Sequence, residues 1–203
     1  MQGAWLAFNL ASGYSHDFTY TIYSHEGCSG QYGNHMATVG PHAGNLEVLT
    51  YPASTYAGGT IPGEARRIQC RNKQGWGFNW RACNTHLVPP NGGSPTEQAA
   101  FARVMSGNGN VITTGDFNIP NADGPTTNWY WPVNWEADNV NRRFTALLST
   151  RTDATIEHKI DYVFRNSNWL PGRSARTSCL TTQHRLNTAA FTDHCYLSAH
   201  LWN

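Results

Sequence analysis

The chain carries four short polar motifs in a fixed order: Thr85-His86-Leu87, Gly115-Asp116-Phe117-Asn118, Lys159-Ile160-Asp161-Tyr162-Val163-Phe164 and Thr192-Asp193-His194. Each lies at or just past an apolar run that reads as a buried strand. Ionisable groups are costly inside such a strand unless they are paired, and are tolerated where it ends. Four such points therefore favour a fold in which several strand ends meet at one polar site. Carboxylate, amide and imidazole are the groups that suit metal-assisted attack of water on a phosphate ester.

The bulk numbers fit one globular domain over residues 1–203, long enough to bury a real core. Charged residues make up only 13%, too few for a long disordered tail. The formal net charge of +1 argues against a general polyanion binder, yet leaves room for a local basic patch on a nucleic-acid substrate. No apolar run reaches the length of roughly 18 residues expected of a membrane span. Met1 to Leu10 lacks the basic start of a signal peptide.

Strands and one helix alternate along the chain. Ala65 to Cys70 and Trp80 to Asn84 read as strands paired around a turn at Lys73-Gln74-Gly75. That pairing would bring Cys70 opposite Cys83, so a disulfide is expected. Cys179 and Cys195 flank another possible strand pair. With five cysteines, one is left over. Thr96 to Met105 reads as a helix with Thr96 as its cap and Gly107 as its stop. Asn110 to Thr114, Ile160 to Phe164 and Cys195 to Leu201 read as further strands. This order predicts a layered α/β fold with a mixed sheet.

Each motif has a chemical and a plain structural reading. Asp116 and Asn118 are two apart, a spacing that aims both side chains the same way on a strand. Together they could hold a hard cation and a phosphate oxygen, or simply form a turn. His86 could give a proton or hydrogen bond to a phosphate oxygen, or serve as a core or capping histidine. Zinc at Cys83 and His86 is disfavoured, because residues three apart on a strand face opposite sides. Asp161 lies in an apolar strand and calls for a cation or imidazole partner. Asp193 and His194 could reach one site from a turn, as metal ligand and substrate contact, or could be a polar turn.

Taken in order, Thr-His-Leu at His86, Gly-Asp-Phe-Asn at Asp116 and Asn118, Lys-Ile-Asp-Tyr at Asp161, and Asp193-His194 resemble the endonuclease/exonuclease/phosphatase superfamily with its DNase I-like fold. Tyr32-Gly33-Asn34 is similar to the start of one of its early strands, and Glu64-Ala65-Arg66 to another landmark. The resemblance covers roughly residues 18 to 203. It implies a four-layer α/β sandwich and a Mg²⁺-dependent phosphoester hydrolase, with Mn²⁺ or Ca²⁺ as alternatives. It implies His194 at the scissile phosphate, held by Asp161. Asp116 would orient water, Asn118 would bind phosphate, and Asp193 would serve the metal. His86 would act on the other side, oriented by Glu64.

The family normally opens with a strand carrying an Asn and a second ending in a metal-binding Gln-Glu. Neither is found here, so the chain is expected to be N-terminally incomplete. It reads either as a fragment of a longer secreted enzyme or as a short form with impaired metal binding. Cys28 is expected to be the unpaired thiol, and Met1 to Gly13 the helix after the missing Glu. An extracellular monomer is expected. Nucleic acid is the expected phosphoester. A sphingomyelinase-like lipid phosphodiesterase and a catalytically impaired binding module are the alternatives. Four aromatics within Asn128 to Trp135 could form a wall that stacks on bases or meets lipid, or could pack onto the core. Arg142 and Arg143 could contact phosphate.

Overall fold

The computed structural model describes residues 14–25, 28–57, 65–75, 77–107, 109–119, 161–165, 172–178 and 196–202. A five-stranded mixed sheet forms its centre, in the order β3 (Glu47–Thr50), β4 (Arg67–Gly75), β5 (Phe78–His86), β6 (Val111–Asp116) and β7 (Asp161–Arg165). β5 and β6 run parallel, and the other neighbours are antiparallel. A parallel pair needs a crossover, which helix α1 (Pro95–Ser106) supplies. Two further antiparallel pairs are β1 (Tyr14–His25) with β2 (Cys28–Val39), and β8 (Gly172–Ser178) with β9 (Tyr196–Trp202). Among the described residues no helix is long and apolar enough to cross a membrane.

The sheet has two different faces because its strands alternate. One face carries Ile68, Cys70, Cys83, Val111, Tyr162 and Phe164, all in the buried core, together with Ala99 and Ala102 of α1. The helix is tied to this face by polar contacts as well. Ser106 Oγ meets Thr113 Oγ1 at 2.9 Å, and Gln98 accepts from the Val88 N–H at 2.8 Å while donating to Thr55 Oγ1 at 2.9 Å. The other face is polar, with Arg67, Gln69, Asn84, His86, Thr114, Asp116 and Asp161 at the alternate positions. β2 lies over part of it. Asn34, Met36 and Thr38 are buried there, and Asn34 Nδ2 donates to the Arg67 carbonyl at 2.8 Å.

The expected β4–β5 hairpin forms, with Cys70 and Cys83 as register partners joined by a disulfide. Its turn lies later than expected. Lys73, Gln74 and Gly75 continue β4, and Gly77, with a φ of +83°, takes the turn. Lys73 is held in the strand by its buried Nζ, which donates to the Gly40 carbonyl at 2.5 Å. The cap of α1 is Ser94 rather than Thr96; its hydroxyl accepts from the Glu97 N–H at 3.4 Å, and Pro95 opens the helix. Gly107 ends it as expected, with a φ of +78° that favours glycine. β3 was not anticipated from sequence. Its Glu47 forms a two-pronged pair with Arg81 at 2.7 and 3.0 Å, and that hydrogen bond holds the Glu47 carboxyl below the usual range. Met1 to Gly13 lies outside the described residues, as do the stretch from Asn128 to Trp135, Arg143, Cys179 and Cys195. Tyr32-Gly33-Asn34 falls within β2 rather than at its start.

Candidate active site at the strand ends

The last residues of β5 and β6 and the first residue of β7 form one row. His86 is the register partner of Asp116 across the parallel pair, and Asp116 is the partner of Asp161 across the antiparallel pair. Partners in register share a sheet face, so three of the sequence-selected side chains come to one edge of the polar face. His86 Nε2 lies 3.2 Å from Asp116 Oδ2, with the histidine side chain 32% exposed and the aspartate 13%. That degree of access lets the pair reach a ligand while shielding the carboxylate from most solvent.

Asn118 arrives differently from the expectation. β6 ends at Asp116, so the two-residue alternation of a strand no longer applies. Asn118 has a φ of +51°, a left-handed conformation that asparagine tolerates better than most residues. Its N–H donates to Asp116 Oδ1 at 2.8 Å, and its Nδ2 donates to the Leu87 carbonyl at 2.8 Å. The tetrapeptide is therefore a turn built around the carboxylate. It fixes Asp116 through one oxygen while His86 faces the other.

Two features hold the row in place. Phe117 packs edge-on against Tyr162 and Phe164, with ring centroids 5.7 and 5.1 Å away, and Tyr162 Oη donates to the Ile119 carbonyl at 2.8 Å. This cluster clamps the turn after Asp116 to the strand that begins at Asp161. On the other side, the Leu87 N–H donates to the Asp116 carbonyl at 2.9 Å. Arg66, noted in the sequence only as a landmark, is buried, and its Nη1 reaches the Leu87 carbonyl at 3.4 Å. The same carbonyl thus gathers Arg66 and Asn118. Its Glu-Ala-Arg context was the one signal that could have brought Arg66 forward.

A second polar row lies one step deeper. Gln69 partners Asn84, which partners Thr114. Asn84 Nδ2 reaches Thr114 Oγ1 at 3.2 Å, whereas both polar atoms of the fully buried Gln69 amide lack a hydrogen-bond partner among the described residues.

Asp161 stands at the start of β7 and is half-buried, so its position costs less than a mid-strand carboxylate would. Asp116 and Asp161, facing each other in register, are a donor pair suited to a hard cation. Among the described residues there is no group of three or more potential metal ligands. Mg²⁺ is commonly held by one or two carboxylates with water and substrate oxygens completing its shell, so this pair fits such an ion. Glu64, Arg142, Asp193 and His194 lie outside the described residues.

Solved structures share this architecture. An endonuclease/exonuclease/phosphatase protein from Beutenbergia cavernae superposes with a TM-score of 0.69 at 22% identity, over 100% of this chain and 58% of that one. The fold is that of the endonuclease/exonuclease/phosphatase proteins. A second protein of that description, from Leptotrichia buccalis, gives a TM-score of 0.67 at 14% identity, covering 98% of this chain and 78% of that one. TDP2 from D. rerio, complexed with single strand DNA product, gives 0.59 at 15% identity, covering 97% and 80%. No protein-family model matches the chain, and no curated protein matches it. The endonuclease/exonuclease/phosphatase fold accounts for the mixed sheet. The chain spans little more than half the length of the Beutenbergia cavernae protein.

Proposed function

We propose that the protein is a metal-dependent phosphodiester hydrolase of nuclease-like type. The observation that carries this reading is the row His86–Asp116–Asp161 at one edge of the sheet. Asp116, held by the Asn118 N–H, would orient an attacking water, and His86 beside it would donate a hydrogen bond or proton to a phosphate oxygen. Asn118 would bind phosphate with the second N–H of its side-chain amide, whose nitrogen also donates to Leu87. His194, oriented by Asp161, would meet the scissile phosphate, and Arg142 a neighbouring one. Glu64 would support His86. Asp193, with the carboxylates of the row, would hold Mg²⁺ (or Mn²⁺ or Ca²⁺), which when bound neutralises charge on the phosphate.

Nucleic acid is the favoured phosphoester. The support is the fold shared with a protein whose structure holds a single-stranded DNA product. The disulfide between Cys70 and Cys83 fits an oxidising, extracellular setting, and a monomeric single domain is the simplest assembly.

The test is hydrolysis of a single-stranded oligonucleotide and of bis(p-nitrophenyl) phosphate in Mg²⁺. Asp116→Asn and His86→Ala should each lower kcat by about 10²–10⁴-fold with the fold intact by circular dichroism. Oligonucleotide bound but never cleaved by the unsubstituted protein would make it a binding module instead.

A further inference from the structure

Tyr51 is a buried phenol that the hydrolase reading leaves unused. It is 3% exposed and belongs to the core cluster that contains Ile68 and Leu87, on the helix side of the sheet. Its N–H donates to the Arg66 carbonyl at 3.1 Å, which carries the β3–β4 pairing one residue further. Its hydroxyl lies 2.6 Å from Thr85 Oγ1 in β5. Tyr51 therefore ties the end of β3, across β4, to β5.

Proton count fixes the direction of the bonds. A threonine hydroxyl has a single proton, and that of Thr85 goes to the Arg67 carbonyl at 3.0 Å. The proton between Tyr51 and Thr85 must then come from Tyr51. Burial pushes the pKa of the phenol up, so it stays protonated and a donor. Asn34 Nδ2, from β2, reaches the same Arg67 carbonyl at 2.8 Å. A chain of bonds thus runs from Tyr51 through Thr85 to Arg67. Ile68 and Thr85 are the last register pair between β4 and β5, and His86 is the next residue. From the other side Gly115 of β6 closes on the Thr85 carbonyl, with no room for a Cβ.

We propose that Tyr51 is a positioning residue for His86, acting through the Thr85 hydroxyl. Held at Thr85 by β4 on one side and β6 on the other, the end of β5 keeps its place. This sets His86 Nε2 at 3.2 Å from Asp116 Oδ2. Buried hydrogen bonds in a connected, satisfied chain rigidify what they join. Tyr51 reaches the site only through Thr85. Its effect on hydrolysis rests on the hydrolase reading, whereas its effect on the place of His86 does not.

The place of His86 is read without substrate, in the full chain, by NMR of the histidine imidazoles, with His86 assigned through His86→Ala. Tyr51→Phe removes one hydroxyl and keeps the ring. It should move the His86 resonances while those of His42, beside Lys73 at the far end of β4, hold. Thr85→Val cuts the chain at its second link and should move them too. Thr85→Ser keeps the hydroxyl and should leave them in place. Unmoved His86 resonances in Tyr51→Phe, even with a lowered thermal midpoint, overturn the positioning role. A shift in Thr85→Ser as large as that in Thr85→Val overturns it as well, because packing and not the hydroxyl would then be responsible. In Mg²⁺, Tyr51→Phe should lower kcat on bis(p-nitrophenyl) phosphate by about 10–100-fold and leave KM unchanged. An unchanged kcat, whatever KM does, also overturns the role. Absence of hydrolysis by the unsubstituted protein would count against the hydrolase reading and leave the NMR result standing.

Discussion

Gly115 immediately precedes Asp116 and has a φ of +146°, and a Cβ placed there would collide with the Thr85 carbonyl. Backbone cannot yield as a flexible side chain does. Gly115→Ala should therefore push β5 and β6 apart where His86 meets Asp116, costing at least about 3 kcal/mol in urea unfolding. A loss under 1 kcal/mol would mean the strands do not approach as closely as described. Gln69 presents the opposite case. Its amide is buried with no hydrogen-bond partner among the described residues, so it carries an uncompensated desolvation cost. Gln69→Leu should raise stability by roughly 1–2 kcal/mol, whereas destabilisation would reveal a hydrogen-bond partner, such as an internal water.

At the scale of elements, the β4–β5 hairpin is the base of the site, because β5 delivers His86. Its disulfide closes a separation of 13 residues. Restricting the unfolded chain over such a loop stabilises by about 3 kcal/mol, so the double variant Cys70→Ala/Cys83→Ala should lose about that much by chemical denaturation. The hairpin was legible because β-branched and aromatic residues flank a glycine-containing turn. The turn was misplaced by a few residues because Lys73 looks like a surface residue. Its Nζ contact with Gly40, 33 positions away, lies within a fully buried environment that the local sequence does not announce. The Ser94 cap was missed for a local reason, since Pro95 at the first helical position moves the cap two residues ahead of Thr96. β3 left no clear signal in the sequence, as a four-residue edge strand with mostly exposed side chains carries little periodicity.

For the molecule as a whole, the site exists only when β6 and β7 pair, and their sequences are separated by residues 117–160. That pairing sets two carboxylates in register. Without a cation they repel, so Asp161→Asn should stabilise the protein by up to about 1 kcal/mol in EDTA. In Mg²⁺ the gain should shrink or reverse, because the variant gives up a ligand. Thermal unfolding under the two conditions checks this, and an identical effect in both would remove Asp161 from any metal site.

Residue chemistry and strand periodicity by themselves determined which side chains could be chemical, that His86 and Asp116 lie at strand ends, and that Cys70 meets Cys83. These are consequences of local pattern, where burial forbids a lone charge and a short hairpin fixes its own register. The tertiary structure alone decided that Asp116 faces His86 on one side and Asp161 on the other, and that Asn118 turns its amide nitrogen onto Leu87. It alone placed Gln69 in the buried layer beneath them. Those relations depend on which strands neighbour one another and where β6 stops, and both are set by packing between segments far apart in the chain.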